Sequence, residues 1–390
     1  MATVTAAATL YAACFLDIQF LPKLAGVTSI WDKANPQLRE LAVYEPGKPI
    51  EETARELEIE PGEIIKLASN ENPLGPSPKA VMAMRDALGS AQLYPDGAGI
   101  YLRDAISARL RFSRDHIILG NGSNEVIEFI AHAFLNRGDE VVISEYAFIA
   151  YKLIAQLFDA RVIEVPTANF QPDLDAMAEA VTSKTKIIFI ANPNNPTGSL
   201  IAQEKIDNFL ARVPPDIVTV LDEAYFEFLD NPPDILRHVR EGKNVVVLRT
   251  FSKIHGLASL RVGYGIARPE LIAVLEKTRQ PFNVNGIAQV GALAALQDDE
   301  HLRKTKDVVD TGRAYLEKEL QVMKLKINPS AGNFVFVNVG DGPAVFKRLL
   351  GLKIIVRPLR GYGLREWIRV TVGTMEQNEK CIAALKKVLS

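Results

Sequence analysis

The sequence predicts an α/β protein: a large domain with a mainly parallel sheet covered by helices, followed by a smaller α+β C-terminal domain. Three observations carry this prediction. Short runs rich in β-branched residues recur from about residue 115, and they are continuously apolar, as strands buried on both faces are. The longer segments between them carry apolar residues at three- and four-residue spacing, the period of a helix with one buried face. After about residue 285 the rhythm changes to a long helical stretch, a group of short strands and a terminal helix.

Taken in order, residues 1–33 read as an extension of unknown role. The stretch MATVTAAATLYAACFLDIQFLPKLAGV is apolar but interrupted by Asp17, and no basic residue precedes it as a secretory signal requires. It is also shorter than the ~20 apolar residues that span a bilayer. Residues 34–75 are rich in turn formers and predict an arm with a first short helix, joining the small domain. Residues 76–284 form the large domain, with strands HIILG, EVVIS, RVIEV, KIIFIAN, IVTVLD, NVVVLRT and RVGYGIA. EVIEFIAHAFLNR and DLDAMAEAVTS are among the helices between them. Residues 285–390 form the small domain, with strands KLKINPS, FVFVNV, KIIVRPL and WIRVTVG.

Composition narrows the function. Lys plus Arg number 45 against 47 Asp plus Glu, a net charge of −2, which lacks the basic excess of a nucleic-acid surface. Cys14 and Cys381 are the two cysteines, and the five histidines show no HxxxH spacing. No disulfide framework and no metal site is therefore expected. Length and composition suit a two-domain cytoplasmic enzyme.

Function is written at the strand ends. GNGSNE follows HIIL, NPNNPTG follows KIIFIA, DEAY follows IVTVL, and TFSK follows VVVLR. In an open parallel sheet, ligands sit beyond the carboxyl ends of the strands, so four polar motifs point at one site. Ser123 and Asn124 open a helix whose free N–H groups suit a phosphate, although on this motif alone a plain N-cap is an equally good reading. Asp222 ends an apolar strand, where a carboxylate is costly unless a cation faces it. Tyr225 follows three residues on, and the stiff turn NPNNPTG presents Asn195. Lys253 on its own would simply start the next helix. At the mouth of this sheet, among these motifs, it reads as a reactive amine.

As a set, these motifs resemble the fold-type-I aminotransferases that use pyridoxal phosphate, and within them the histidinol-phosphate aminotransferases. The resemblance runs from KLASNENPLGPSP through YPDGAG, LRVGYG and FNVN to IRVTVGT. It implies that Lys253 holds the cofactor covalently, that Asp222 pairs with the ring nitrogen, and that Tyr225 and Asn195 bond the ring's phenolic oxygen. Ser123, Asn124, Thr250, Ser252 and Arg261 would surround the phosphate, and Phe148 would stack on the ring. Tyr94 would reach the phosphate of a second chain, so the resemblance implies a homodimer with shared sites. Tyr44, Asn70, Arg357 and Arg369 would bind substrate, namely histidinol phosphate and glutamate or 2-oxoglutarate. Nucleic acid and membrane are not expected partners. His255 and Ser259 depart from the pattern, where an aromatic residue and a glycine are usual. An aminotransferase of broader aromatic specificity and a phospho-amino-acid decarboxylase share most of these motifs. A dinucleotide-binding protein is disfavoured, since no GxGxxG follows the first strand.

Overall fold

The computed structural model describes residues 29–43 and 47–390. Most of the predicted extension, and the predicted substrate residue Tyr44, lie outside them. The described residues fall into two compact units that divide after Leu41. The first contains two 3₁₀ turns, Ile30–Asp32 and Pro36–Arg39, tied by an Arg39–Asp32 ion pair.

Residues 42–390 are built on two sheets. The short strand β1 (Ile65–Leu67) belongs to the smaller one. The larger has seven strands among the described residues: β2 (Ile117–Gly120), β3 (Glu140–Ser144), β4 (Arg161–Val165), β5 (Thr185–Ala191), β6 (Val218–Asp222), β7 (Val245–Thr250) and β8 (Gly263–Ile266). These are the seven runs read from the sequence. They lie in the order β2-β8-β7-β6-β5-β3-β4. Neighbours from β7 to β4 are parallel, and β8 runs antiparallel to both β2 and β7. The sheet is therefore mainly parallel, and β2, β5, β6 and β7 all end at one edge.

The continuous apolar runs follow from coverage on both faces, because successive strand side chains point to opposite sides. Val141, Ile143, Phe189, Val220 and Leu248 pack on one face beneath helices Ser123–Phe134 and Ile149–Leu157. Val142, Ile188, Leu221 and Val247 pack on the other, with Ala80 of helix Pro78–Ala87 and Ala288 of helix Gly286–Leu296.

The smaller sheet is ordered β1-β11-β12-β10-β9, adding β9 (Ile327–Asn328), β10 (Phe334–Asn338), β11 (Ile354–Leu359) and β12 (Leu364–Thr371). Helices Asp299–Val322, Gly342–Leu350 and Met375–Leu389 bury one face through Leu316, Leu349 and Leu385. β1 pairs in parallel with β11. The sequence reads that segment only as arm, and its strand character comes from this pairing.

Candidate active site

Each strand-end motif has a local cause for its position. After β2, Gly122 turns the chain at φ 80, and a Cβ there would meet Nη2 of Arg261 at 2.3 Å. The positive φ there is what favours glycine. The helix beginning at Ser123 then aims its N-terminus into a cavity of about 160 Å³. Thr250, Ser252 and Arg261 stand around the same end of it. Nη1 of Arg261 donates to Ser252 Oγ at 3.1 Å and to the Ala258 carbonyl at 3.0 Å. Hydroxyls, a guanidinium and a helix N-terminus are together the groups that could hold a phosphate.

Asp222, at the end of β6, is buried and accepts from the Tyr151 hydroxyl at 2.8 Å and from Ala224 N–H at 3.0 Å. Burial pushes its carboxyl up, and those two bonds oppose the shift. Both donors are neutral, so a cationic ring nitrogen beside this carboxylate would meet a matching charge. Tyr151 itself is fully buried and stacks on Phe189 at 4.7 Å. Phe148 lines the same cavity, edge-on to Tyr151 at 5.7 Å.

Lys253 follows β7 and points its Nζ at the Ser69 carbonyl, 3.2 Å away. Its pKa is lowered to about 8, first by burial and then by the positive charge of Arg369. More of the amine is then neutral near pH 7 than at the ordinary lysine value. A neutral amine is the form that can act as a nucleophile.

The polar side chains nearby are arranged as donors. Tyr225 accepts from Asn70 Nδ2 at 2.8 Å, which leaves its own O–H to donate. Its pKa is pushed up to about 12 by burial, partly offset by Arg369, so the hydroxyl keeps its proton. Asn195 accepts from Arg369 through Oδ1, which leaves its amide N–H groups for a ligand. Both lie on the cavity wall.

The remaining predicted residues lie outside that lining. Asn70 is buried in the left-handed region (φ 56), bonded through its N–H to Thr371 Oγ1 at 2.9 Å. Arg369 lies on β12, donating through Nη2 to the Ala68 carbonyl at 2.6 Å. Arg357 on β11 is directly opposite it. Tyr94 is 83% exposed and stacks on Phe282 at 4.8 Å, outside the cavity of its own chain.

Sequence reasoning missed Tyr151, Thr371 and Asn333, which donates to the Asn70 carbonyl at 3.0 Å. Tyr151 had one available signal, a tyrosine one helical turn after Phe148 in EYAFIAY. His255, the departure from pattern, is buried against Phe251 at 4.8 Å, with its pKa lowered by burial to about 3. It does not line the cavity. A larger cavity of about 570 Å³, beside Pro214 and Lys243 at the opposite strand edge, contains none of these residues.

Known proteins resemble this chain in sequence and in fold. A histidinol-phosphate aminotransferase of Akkermansia muciniphila is 51% identical over 362 residues, covering 93% of this chain and all of that one. One from Moorella thermoacetica is 46% identical, covering 92% of this chain and 93% of the relative. The crystal structure of histidinol-phosphate aminotransferase from Sinorhizobium meliloti in complex with pyridoxal-5'-phosphate superposes with a TM-score of 0.82. It has 27% identity and covers 96% of this chain and 99% of that chain. The family model for aminotransferase class I and II matches residues 62–385, from the end of the arm to the terminal helix. With a strand-end amine, a buried carboxylate and an anion cradle around one cavity, the chain belongs to the class I and II aminotransferases.

Proposed function

We propose that the chain is a pyridoxal-phosphate-dependent aminotransferase that moves the amino group of L-histidinol phosphate to 2-oxoglutarate, giving imidazole-acetol phosphate and L-glutamate in histidine biosynthesis. The convergence of Lys253 and Asp222 on one cavity, beside a phosphate receptor, carries this conclusion. The names of its relatives supply the substrate.

The residues present fit the cofactor. Ser123, Asn124, Thr250, Ser252 and Arg261 would hold its phosphate, and Phe148 would lie against the ring. When bound, pyridoxal phosphate supplies a conjugated ring that draws electrons from the substrate's α-carbon. Asp222 would keep the ring nitrogen protonated, while Tyr225 and Asn195 would donate to the phenolic oxygen. Lys253 would hold the group through its amine, and the same amine, when free, would move the proton at the substrate's α-carbon.

On the substrate side, Arg357 and Arg369 face each other on neighbouring strands. A guanidinium fork suits the carboxylate of glutamate and the phosphate of histidinol phosphate alike. Asn70 and Tyr44 complete this substrate group.

The reading extends to a cytoplasmic homodimer. Leu93, Tyr94, Tyr101 and Phe282 form exposed apolar surface, of the kind that marks an interface. Packed on a second copy, Tyr94 reaches that copy's phosphate. Mixing Tyr94→Phe chains with Lys253→Ala chains should partly restore activity, because one of the two shared sites is then free of both lesions. A fully active monomer in sedimentation would rule the dimer out.

The substrate is tested by adding L-histidinol phosphate or phenylalanine to the purified holoenzyme and following the cofactor's absorption. Rapid loss of the long-wavelength band with histidinol phosphate is expected. Faster conversion by phenylalanine would instead mark an aromatic aminotransferase, and release of carbon dioxide a decarboxylase.

A further inference from the structure

The segment SNENPLG (69–75) is a second wall of the lysine's socket, and the geometry points to Asn72 within it as a positioning residue for Lys253. This inference rests on the assignment of Lys253 as the reactive amine.

Asn72 is first fixed by its own chain. Its Oδ1 accepts from Leu74 N–H at 2.8 Å, an Asx turn, and the following proline holds it extended. That orientation aims Nδ2 at the Ile254 carbonyl, 2.6 Å away, and at Thr305 Oγ1, 3.2 Å away. Ile254 is the residue after Lys253 and is buried, as is Thr305. One amide thus ties the peptide beyond the lysine to helix Asp299–Val322.

The backbones meet as well. Gly256 has φ 70, and a Cβ there would stand 2.3 Å from the Gly75 carbonyl oxygen. Between these points the chain turns tightly, with Gly256 N–H donating to Lys253 O and Leu257 N–H to Phe251 O, both at 3.0 Å. The same segment receives the amine itself, through the Ser69 carbonyl. It therefore holds both the amine of Lys253 and the backbone that follows the lysine.

Such a clamp has a chemical use. Lysine's flexible four-carbon stem must hold a ligand, release it and then work at one carbon atom. A fixed backbone is the reference that keeps the released amine within reach. Arg369, Glu71, Arg261 and Asp222 set the charge around that amine, whereas Asn72 sets its origin.

Two measurements test this. The first is the rate at which cofactor-free protein captures added pyridoxal phosphate, followed by absorbance. The second is the single-turnover rate of the holoenzyme with L-histidinol phosphate across its saturation curve. Asn72→Ala should slow both by about ten- to a hundredfold, as a misplaced reacting group does, and leave the half-saturating substrate concentration unchanged. Thr305→Val, which keeps the Ile254 bond, should stay close to wild type. If Asn72→Ala does not fold, Asn72→Asp is the alternative: it is isosteric, still accepts from Leu74, and cannot donate to the Ile254 carbonyl. A folded Asn72 variant with a lower melting temperature but wild-type capture and turnover would overturn the inference. Wild-type capture of the cofactor by Lys253→Ala would instead overturn the assignment of the lysine.

Discussion

The two sheets supply the site in different ways. The seven-stranded sheet contributes its rim: Asp222, Thr250, Ser252, Lys253 and Asn195 all lie at or just past strand ends. The five-stranded sheet contributes a face, with Arg357, Arg369 and Thr371 on adjoining strands. A rim gathers loops and helix N-termini, so it suits a cofactor with a phosphate, a ring and a covalent anchor. A face presents side chains at alternate positions, so it suits recognition of an anion arriving from outside. The proposed function would then rest its cofactor chemistry on one sheet and its substrate discrimination on the other.

That division can be broken by mutation. The largest loss is expected on the rim. Asp222→Asn is nearly isosteric and should fold, yet lose about a hundredfold or more of single-turnover rate, as removal of an electrostatic partner of the reacting group does. The loss should be the same for histidinol phosphate and glutamate. Rates close to wild type would refute the role, and a strongly substrate-dependent loss would break the division.

On the face the pattern should invert. Arg369→Ala should weaken both substrates by about 1.5–3 kcal/mol, the worth of a charge-assisted hydrogen bond. Arg357→Ala should weaken histidinol phosphate more than glutamate. Half-reaction kinetics on the two variants decide this: equal losses in Arg357→Ala would remove that residue from phosphate recognition.

The smallest effect sharpens the rim. Tyr151→Phe removes one of the bonds that hold the Asp222 carboxyl down against burial. The carboxyl then takes up a proton at higher pH, and the acid limb of the activity profile should move to higher pH. The rate at the acid end should fall about two- to tenfold, the value of a single net hydrogen bond. An unmoved limb would show that Tyr151 only packs.

The same contrast explains what could be read in advance. Strands β2 to β8 were legible because burial on both faces makes them continuous apolar runs, and the rim was legible because its residues stand in unbroken motifs beside those runs. β1 was not, since three residues in a turn-rich stretch become a strand only against β11. The face was reached through resemblance, because the proximity of Arg357 and Arg369 depends on the register of two strands. Tyr151, Thr371, Asn333 and Asn72 act through bonds to residues distant in sequence. No local pattern marks such partners.

The account turns on one amine. Holoenzyme reduced with borohydride and digested should carry the cofactor on the peptide containing Lys253, and on that lysine alone. Mass mapping that places the label on another lysine, or finds none, would contradict the assignment of the strand-end site.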